Sequence, residues 1–130
     1  AIEVYPNFIQ ALSNLGAALN KQKHHHEAVK LLKKALNLNP EFAIAHFNLG
    51  NSLFALNQLD EARKAFELSQ SQGIDFLSMH WKLYQIHKKN QHFQDAEKEL
   101  KIITVGSKGY DQLKREYSKY KQSTDIIFNV

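Results

Sequence analysis

The chain has 130 residues, of which 43% are hydrophobic and 23% are charged, a composition typical of one folded domain rather than of a disordered chain. It contains no cysteine, which excludes disulfides, thiolate metal sites and thiol catalysis. No apolar run is long enough for a membrane span or placed like a secretory signal, so we expect a cytoplasmic protein without a membrane partner.

The formal net charge of +4 is concentrated towards the C-terminus. Residues 88–121 carry nine basic and five acidic side chains, whereas the rest of the chain is balanced. A basic segment of this kind attracts nucleic acid or acidic peptides when it forms one patch, but on amphipathic helices it forms the solvated face. Nucleic-acid binding through the basic C-terminal third is therefore kept as an alternative that is not favoured.

Similar residues recur along the chain at a fixed interval of 34 residues. Pro6 recurs at Pro40 and Gly16 at Gly50, and two series run through three copies without an insertion: Leu15, Leu49 and Leu83, and Ala28, Ala62 and Ala96. A fixed interval of this length indicates stacked supersecondary units that bury a continuous core between neighbours.

Each copy reads as two amphipathic helices joined by a polar turn. In the first copy the apolar positions share one face of each helix: Leu12, Leu15, Gly16 and Leu19, then Ala28, Leu31, Leu32 and Ala35. Pro40 ends the second helix because proline cannot continue it. We expect Gly16 to face Ala28, and Gly50 to face Ala62, because small residues let antiparallel helices approach closely.

These residues resemble the tetratricopeptide repeat (TPR) family. The family pattern is matched in two copies: Leu15-Gly16, Leu19, Ala28, Leu32, Ala35 and Pro40, then Leu49-Gly50, Leu53, Ala62 and Phe66. The resemblance implies an all-α fold, an α-α superhelix of antiparallel helix pairs with a C-terminal capping helix, in a single domain over residues 1–130. Its parts are the end of a preceding repeat (1–8), three repeats (9–42, 43–76 and 77–110) and a capping helix and tail (111–130).

The third copy departs from the family pattern. Tyr84 stands where the family prefers a small residue, and Ile74 and Lys108 stand where proline would close copies two and three. We expect the third copy to pack with altered geometry. The start within a repeat leads us to expect a fragment of a longer protein, with an exposed apolar side on the first complete helix and possible self-association through it.

The seven histidines are the first candidates for chemistry. His24 to His26 are predicted to lie in a turn, where three consecutive side chains point in different directions and cannot converge on one ion. His46 and His80 hold the same packing position in successive repeats. His87 replaces an apolar packing residue, and His92 is predicted to lie in a turn. Glycine-rich phosphate loops, Gly-x-Ser-x-Gly and His-Glu-x-x-His are also absent from the sequence. We predict no metal site, no cofactor and no catalytic residue, so the chain is predicted not to be an enzyme.

The resemblance implies a scaffold that binds another protein or peptide on its concave face, through side chains of the first helices. The predicted partner-binding residues are Asn14, Phe47, Asn48, Asn51, Trp81, Lys82, Gln85 and Lys89. Phe47 and Trp81 hold the same position in successive repeats, and an aromatic pair beside amides and lysines suits a peptide. If both rings line an open groove, we expect them to add little to the core.

Other functions implied by the resemblance are less well matched. The family's clamp for chaperone C-terminal carboxylates falls on Ser13, Ala17, Asn48, Ser78 and Lys82, where only Asn48 agrees. Asn14 and Asn48 resemble the asparagine ladder of a sugar-transferring enzyme, although Lys82 interrupts it. This resemblance gives an alternative function, in which the chain is the substrate-recruiting arm of a larger enzyme such as a glycosyltransferase. A further alternative is that the apolar segment 126–128 covers the groove.

Overall fold

The computed structural model describes residues 6–106, 115, 118 and 119, and residues 6–106 form six helices without a strand. The helices are α1 (Pro6–Lys21), α2 (His25–Leu38), α3 (Ala43–Ala55), α4 (Leu59–Ser71), α5 (Leu77–Lys89) and α6 (Phe93–Gly106). The predicted all-α class is confirmed. The expected remnant at residues 1–5, most of the capping segment 111–130 and the segment 126–128 lie outside the described residues.

The helices fall into two compact units, one holding α1 to α4 and the other holding α5 and α6. Within the first unit α1 packs on α2, α3 packs on α4, and α3 also contacts both earlier helices. Short turns join α1 to α2 and α3 to α4, so the two helices of each pair run antiparallel. Helices α3 and α5 begin at Ala43 and Leu77, where the second and third repeats were predicted to begin, and α1 begins shortly before Ile9, at Pro6. Among the described residues, no helix is both long and apolar enough to cross a membrane.

The two helical glycines lie against large side chains. A Cβ atom added to Gly16 would come within 2.7 Å of Leu32, and one added to Gly50 would come within 2.5 Å of the Phe66 ring. Ala28 is fully buried, but it is not the nearest neighbour of Gly16. The residue nearest to each glycine is thus the one that lies one turn beyond the expected alanine along the second helix.

The α5–α6 pair accommodates Tyr84 at the position that glycine holds in the other two pairs. The Tyr84 side chain is buried in a cluster with Ala96, Leu100 and Ile103. Leu100 is the repeat equivalent of Phe66, so the aromatic ring has moved from the second helix of the pair to the first. The third pair thus fills its interface from the opposite side, which is how it departs from the pattern of the second.

Leu15 is not a core residue, although its repeat equivalents are. Its side chain is 51% exposed, compared with 8% for Leu49 and 1% for Leu83. Phe8 and Ala11 share its helix face and are also exposed. Leu15 thus lies on an exposed apolar side of the first complete helix, because no described helix packs over this side of α1.

Candidate partner-binding surface

A chain of buried and partly buried hydrogen bonds joins α1 to α3. Nδ2 of Asn48 donates a hydrogen bond to Oγ of Ser13 over 3.2 Å. Nδ2 of Asn20 donates to the backbone oxygen of Asn48 over 3.2 Å, and Oγ of Ser52 donates to Oδ1 of Asn20 over 2.7 Å. These contacts bring together residues from successive repeats and fix how α3 lies on α1. Sequence reasoning missed Asn20 and Ser52 because single small polar residues carry no periodic signal.

Asn48 therefore has a structural role that its assignment to the partner surface did not anticipate. Its side chain is largely buried and one of its two amide N–H groups is already bonded to Ser13, which leaves one N–H group and Oδ1 to offer to a partner. Asn14, its equivalent in the preceding repeat, is exposed to solvent. The two asparagines that suggested a ladder thus stand in different environments.

One face of helix α3 carries a half-buried stripe of two aromatic side chains and one amide. Phe47, Asn51 and Phe54 recur at helical spacing and are all partly accessible. The Phe47 ring centroid lies 6.2 Å from that of Phe66 on α4. Oδ1 of Asn51 is buried and has no hydrogen-bond partner among the described residues. A buried acceptor without a donor costs about 1–3 kcal/mol, so this oxygen favours an incoming N–H group.

Trp81 on α5 belongs partly to the core. Its ring centroid lies 5.4 Å from that of Tyr84, and the half-buried ring packs against the cluster of Tyr84, Leu100 and their neighbours. The expectation that the Trp81 ring adds little to the core is wrong. The reason is local: a tyrosine at the small-residue position, one helical turn after Trp81, presents a ring on which the indole packs.

The polar candidates on α5 differ in exposure. Lys82 and Gln85 are half-buried, whereas Lys89 is exposed. Burial lowers the pKa of Lys82, and no acidic group pairs with its ammonium among the described residues. A partly desolvated ammonium without a counter-ion favours a carboxylate from elsewhere. Gln85 is the repeat equivalent of Asn51, so both first helices place a half-buried amide at the same repeat position.

The equivalent histidines His46 and His80 are both buried, as the packing assignment predicted, but their partners differ. Nε2 of His46 lies 2.7 Å from the Pro40 carbonyl oxygen. The imidazole of His80 bonds two carboxylates, with Nδ1 at 2.5 Å from Glu99 and Nε2 against Asp75. Burial by itself lowers the pKa of His80, but the two carboxylates outweigh it and raise the pKa above its ordinary value of 6.5. The group links the start of α5 to α6 and includes no nucleophile.

In sequence comparisons, residues 19–73 match the family profile described as Tetratricopeptide repeat. The small glutamine-rich tetratricopeptide repeat-containing protein 2 of Mycosarcoma maydis is 34% identical over 67 residues, which are 52% of this chain and 19% of that protein. The STIP1 homologue of Dictyostelium discoideum is 30% identical over 129 residues, 99% of this chain and 20% of that protein. Human protein O-mannosyl-transferase TMTC3 is 30% identical over 71 residues, 55% of this chain and 8% of that protein. The chain thus spans at most about a fifth of these relatives.

Comparisons of structure agree with the sequence match. The type III secretion translocator chaperone SycD of Yersinia enterocolitica superposes with a TM-score of 0.82 at 14% identity, over 95% of this chain and 90% of that one. The first TPR of Spaghetti (RPAP3), bound to the HSP90 peptide SRMEEVD, superposes with a TM-score of 0.74 at 16% identity, over 89% and 94%. The resemblance drawn from the repeat pattern is confirmed: residues 19–73 match the tetratricopeptide repeat profile, and the chain has the fold of these tetratricopeptide repeat structures.

Proposed function

We propose that this chain is a non-catalytic cytoplasmic scaffold that binds an extended segment of another protein along α1 and α3, the first helices of the repeats in its first unit. The observation that carries the proposal is the buried Oδ1 of Asn51, which has no donor among the described residues and lies on the same helix face as two half-buried phenylalanines. A peptide backbone supplies what this stripe lacks, because it brings N–H donors and apolar side chains at once.

The chemistry of α5 adds a preference to this proposal. Gln85 is the repeat equivalent of Asn51 and also carries a half-buried amide. The ammonium group of Lys82 is partly desolvated and has no acidic partner among the described residues. We expect a segment that binds on α5 to carry an acidic side chain for Lys82. Asn14 and Lys89 are exposed and belong to the rim, where single contacts add little affinity.

Peptide complexes of neighbouring structures support a peptide ligand but not the same ligand. One of them holds an HSP90 peptide, whereas Asn48 and Ser13 of this chain, which stand at clamp positions, are bonded to each other. A clamp needs free donors for a terminal carboxylate. We therefore propose an internal segment of the partner rather than its C-terminus.

A displayed library of random peptides, selected on the purified chain, tests the proposal. Binding constants of the enriched peptides are then measured for the wild type, for Asn51→Ala and for the matched control Asn37→Ala, whose amide is exposed on α2. We expect Asn51→Ala to weaken binding by about 30-fold, equivalent to a hot spot of about 2 kcal/mol, and Asn37→Ala to have no effect. Failure to enrich any peptide, or equal effects of the two variants, would refute the proposal.

A second arm of the experiment separates the ligand classes. The peptide SRMEEVD serves as the probe for C-terminal clamping. We expect it to bind at least about tenfold more weakly than the selected peptides, since the clamp residues are mostly replaced. Tight binding that is lost in Lys82→Ala, but not in the exposed control Lys64→Ala, would show that a C-terminal carboxylate is the ligand after all.

The similarity to human TMTC3 favours one alternative, in which the repeats recruit substrate for a transferase elsewhere in a longer polypeptide. The differing environments of Asn14 and Asn48 speak against an asparagine ladder of the kind expected for such an arm. Sequencing the coding region on both sides of this segment decides the matter: a transferase domain in the same reading frame would support the alternative.

A further inference from the structure

The turn between the two helices of each repeat has the same backbone in all three copies. Its middle residue is left-handed without being glycine, with φ of 66° at Lys23, 61° at Asn57 and 62° at Gln91. In each turn the next amide donates to the carbonyl five residues back: His24 to Leu19 over 2.8 Å, Gln58 to Leu53 over 2.9 Å and His92 to His87 over 2.8 Å. The side chains on either side of the turn are therefore held on one repeated scaffold.

Three positions on this scaffold surround the turn, and only the third copy fills all of them with metal-binding residue types. The occupants are Leu19, His24 and Glu27 in the first copy, Leu53, Gln58 and Glu61 in the second, and His87, His92 and Asp95 in the third. The change at the first of these positions is the informative one. An imidazole replaces a packing leucine, and the His87 side chain is only 9% exposed.

The third copy brings these groups together, which the reading of each histidine by itself did not predict. One ligand atom from each of His87, His92 and Asp95 lies within 4.8 Å of the other two. The two imidazole centroids are 6.2 Å apart. His92 and Asp95 are exposed, so their side chains can rotate towards the buried and fixed His87.

We propose that His87, His92 and Asp95 bind a zinc ion. Two imidazole nitrogens and one carboxylate oxygen are a ligand set that zinc favours, at bonds of about 2.0–2.2 Å. Ligands around a tetrahedral ion at such distances lie about 3.3 Å apart, so the exposed side chains need to close by at most about 1.5 Å. The fourth position then faces solvent beside the two exposed ligands, open to water or to a carboxylate of a bound protein. The ion ties the end of α5 to the start of α6.

The test uses the untagged chain with zinc chloride in a buffer that does not chelate. Calorimetry is expected to find one zinc ion per chain, and thermal unfolding is expected to shift upwards with stoichiometric zinc. Cobalt substituted for zinc reports the geometry through its visible absorption. Failure of the wild type to bind one equivalent would overturn the proposal.

The repeat itself supplies the variant that separates ligation from folding. His87→Leu installs the residue found at Leu19 and Leu53 on the same backbone, so we expect it to fold normally and to lose zinc affinity by at least tenfold. Asp95→Asn changes an exposed ligand and is expected to weaken binding in the same direction. The control replaces His24, His25 and His26 by alanine. Zinc binding that survives in His87→Leu but vanishes in this control would place the ion in the histidine run and refute the site.

Discussion

Gly50 on α3 and Phe66 on α4 are so close that a Cβ atom added to the glycine would lie 2.5 Å from ring carbon Cδ1 of the phenylalanine. The ring is fully buried and cannot swing away. We expect Gly50→Ala to lower the free energy of unfolding by about 1–3 kcal/mol, because overpacking outweighs the gain of about 1 kcal/mol in helix propensity. Urea unfolding measures the change.

A double-mutant cycle with Phe66→Leu controls this interpretation. Leucine at position 66 copies Leu32, which faces Gly16 in the first repeat, and leaves more space for a methyl group. We expect the double variant to lose less stability than the sum of the single variants. Additive losses would show that the alanine is tolerated by backbone movement and that the ring is not the cause.

Leu15 and Leu49 occupy the same repeat position but not the same environment, with exposures of 51% and 8%. We expect Leu49→Ala to cost about 2–5 kcal/mol of stability through a cavity, and Leu15→Ala to cost less than about 1 kcal/mol. Chemical denaturation of both variants gives the comparison. A large loss in Leu15→Ala would mean that a segment outside the described residues covers this face.

The exposed face of α1 around Phe8 and Leu15 is expected to cause self-association, because apolar repeat faces without a neighbour associate. Sedimentation equilibrium should show a molecular mass that rises with concentration for the wild type and stays at that of a monomer for Leu15→Glu. A monomeric wild type at all concentrations, or association that persists in the variant, would rule this out.

Trp81 contributes to stability as well as to the proposed surface. Since its ring packs on Tyr84 and the neighbouring core, we expect Trp81→Ala to cost about 2 kcal/mol or more. Circular dichroism during thermal melting measures the loss, with Lys98→Ala, an exposed position on α6, as the control. Equal melting temperatures of the two variants would show that the Trp81 ring does not contribute to the core. Tests of binding are therefore cleaner at Asn51 and Lys82 than at Trp81.

The His80 group makes stability depend on pH. The two carboxylates raise the pKa of His80 in the folded state, so protonation favours folding. This contribution is fully present below pH 6.5, the ordinary value, and is lost as pH rises through the raised pKa. NMR titration of His80 checks the direction. In Glu99→Ala, which installs the residue found at Ala65, we expect the pKa to fall and the pH dependence of unfolding to shrink.

The repeat interval was enough to place the helices, because period and residue type together mark each turn and each packing face. The family resemblance added the repeat starts Ala43 and Leu77, which are also the first residues of α3 and α5. The interval failed at Leu15 because a pattern shows which face is apolar and does not show whether a neighbour covers it. The same limit applies to the large residue opposite each glycine, since the nearest neighbour depends on helix rotation.

The candidate sites were less predictable than the fold. Asn48 was assigned to the partner surface from its position in the repeat. Its hydrogen bond to Ser13 joins two different repeats, so a local sequence pattern does not predict it. His87 and His92 looked unrelated because one was taken for packing and the other for a turn. They meet because Gln91 takes a left-handed conformation, which residues other than glycine seldom adopt and sequence rules seldom anticipate.

The polar chain from Ser13 through Asn48 and Asn20 to Ser52 has a consequence for alignment. Stacked helices held only by leucine and alanine can slide by one turn at little cost, because apolar contacts are interchangeable. The side-chain amides of Asn48 and Asn20 each donate to an acceptor on the other helix, so a slide of one turn would take both amides away from these partners. The bonds therefore favour the observed register of α3 on α1 over a register shifted by one turn.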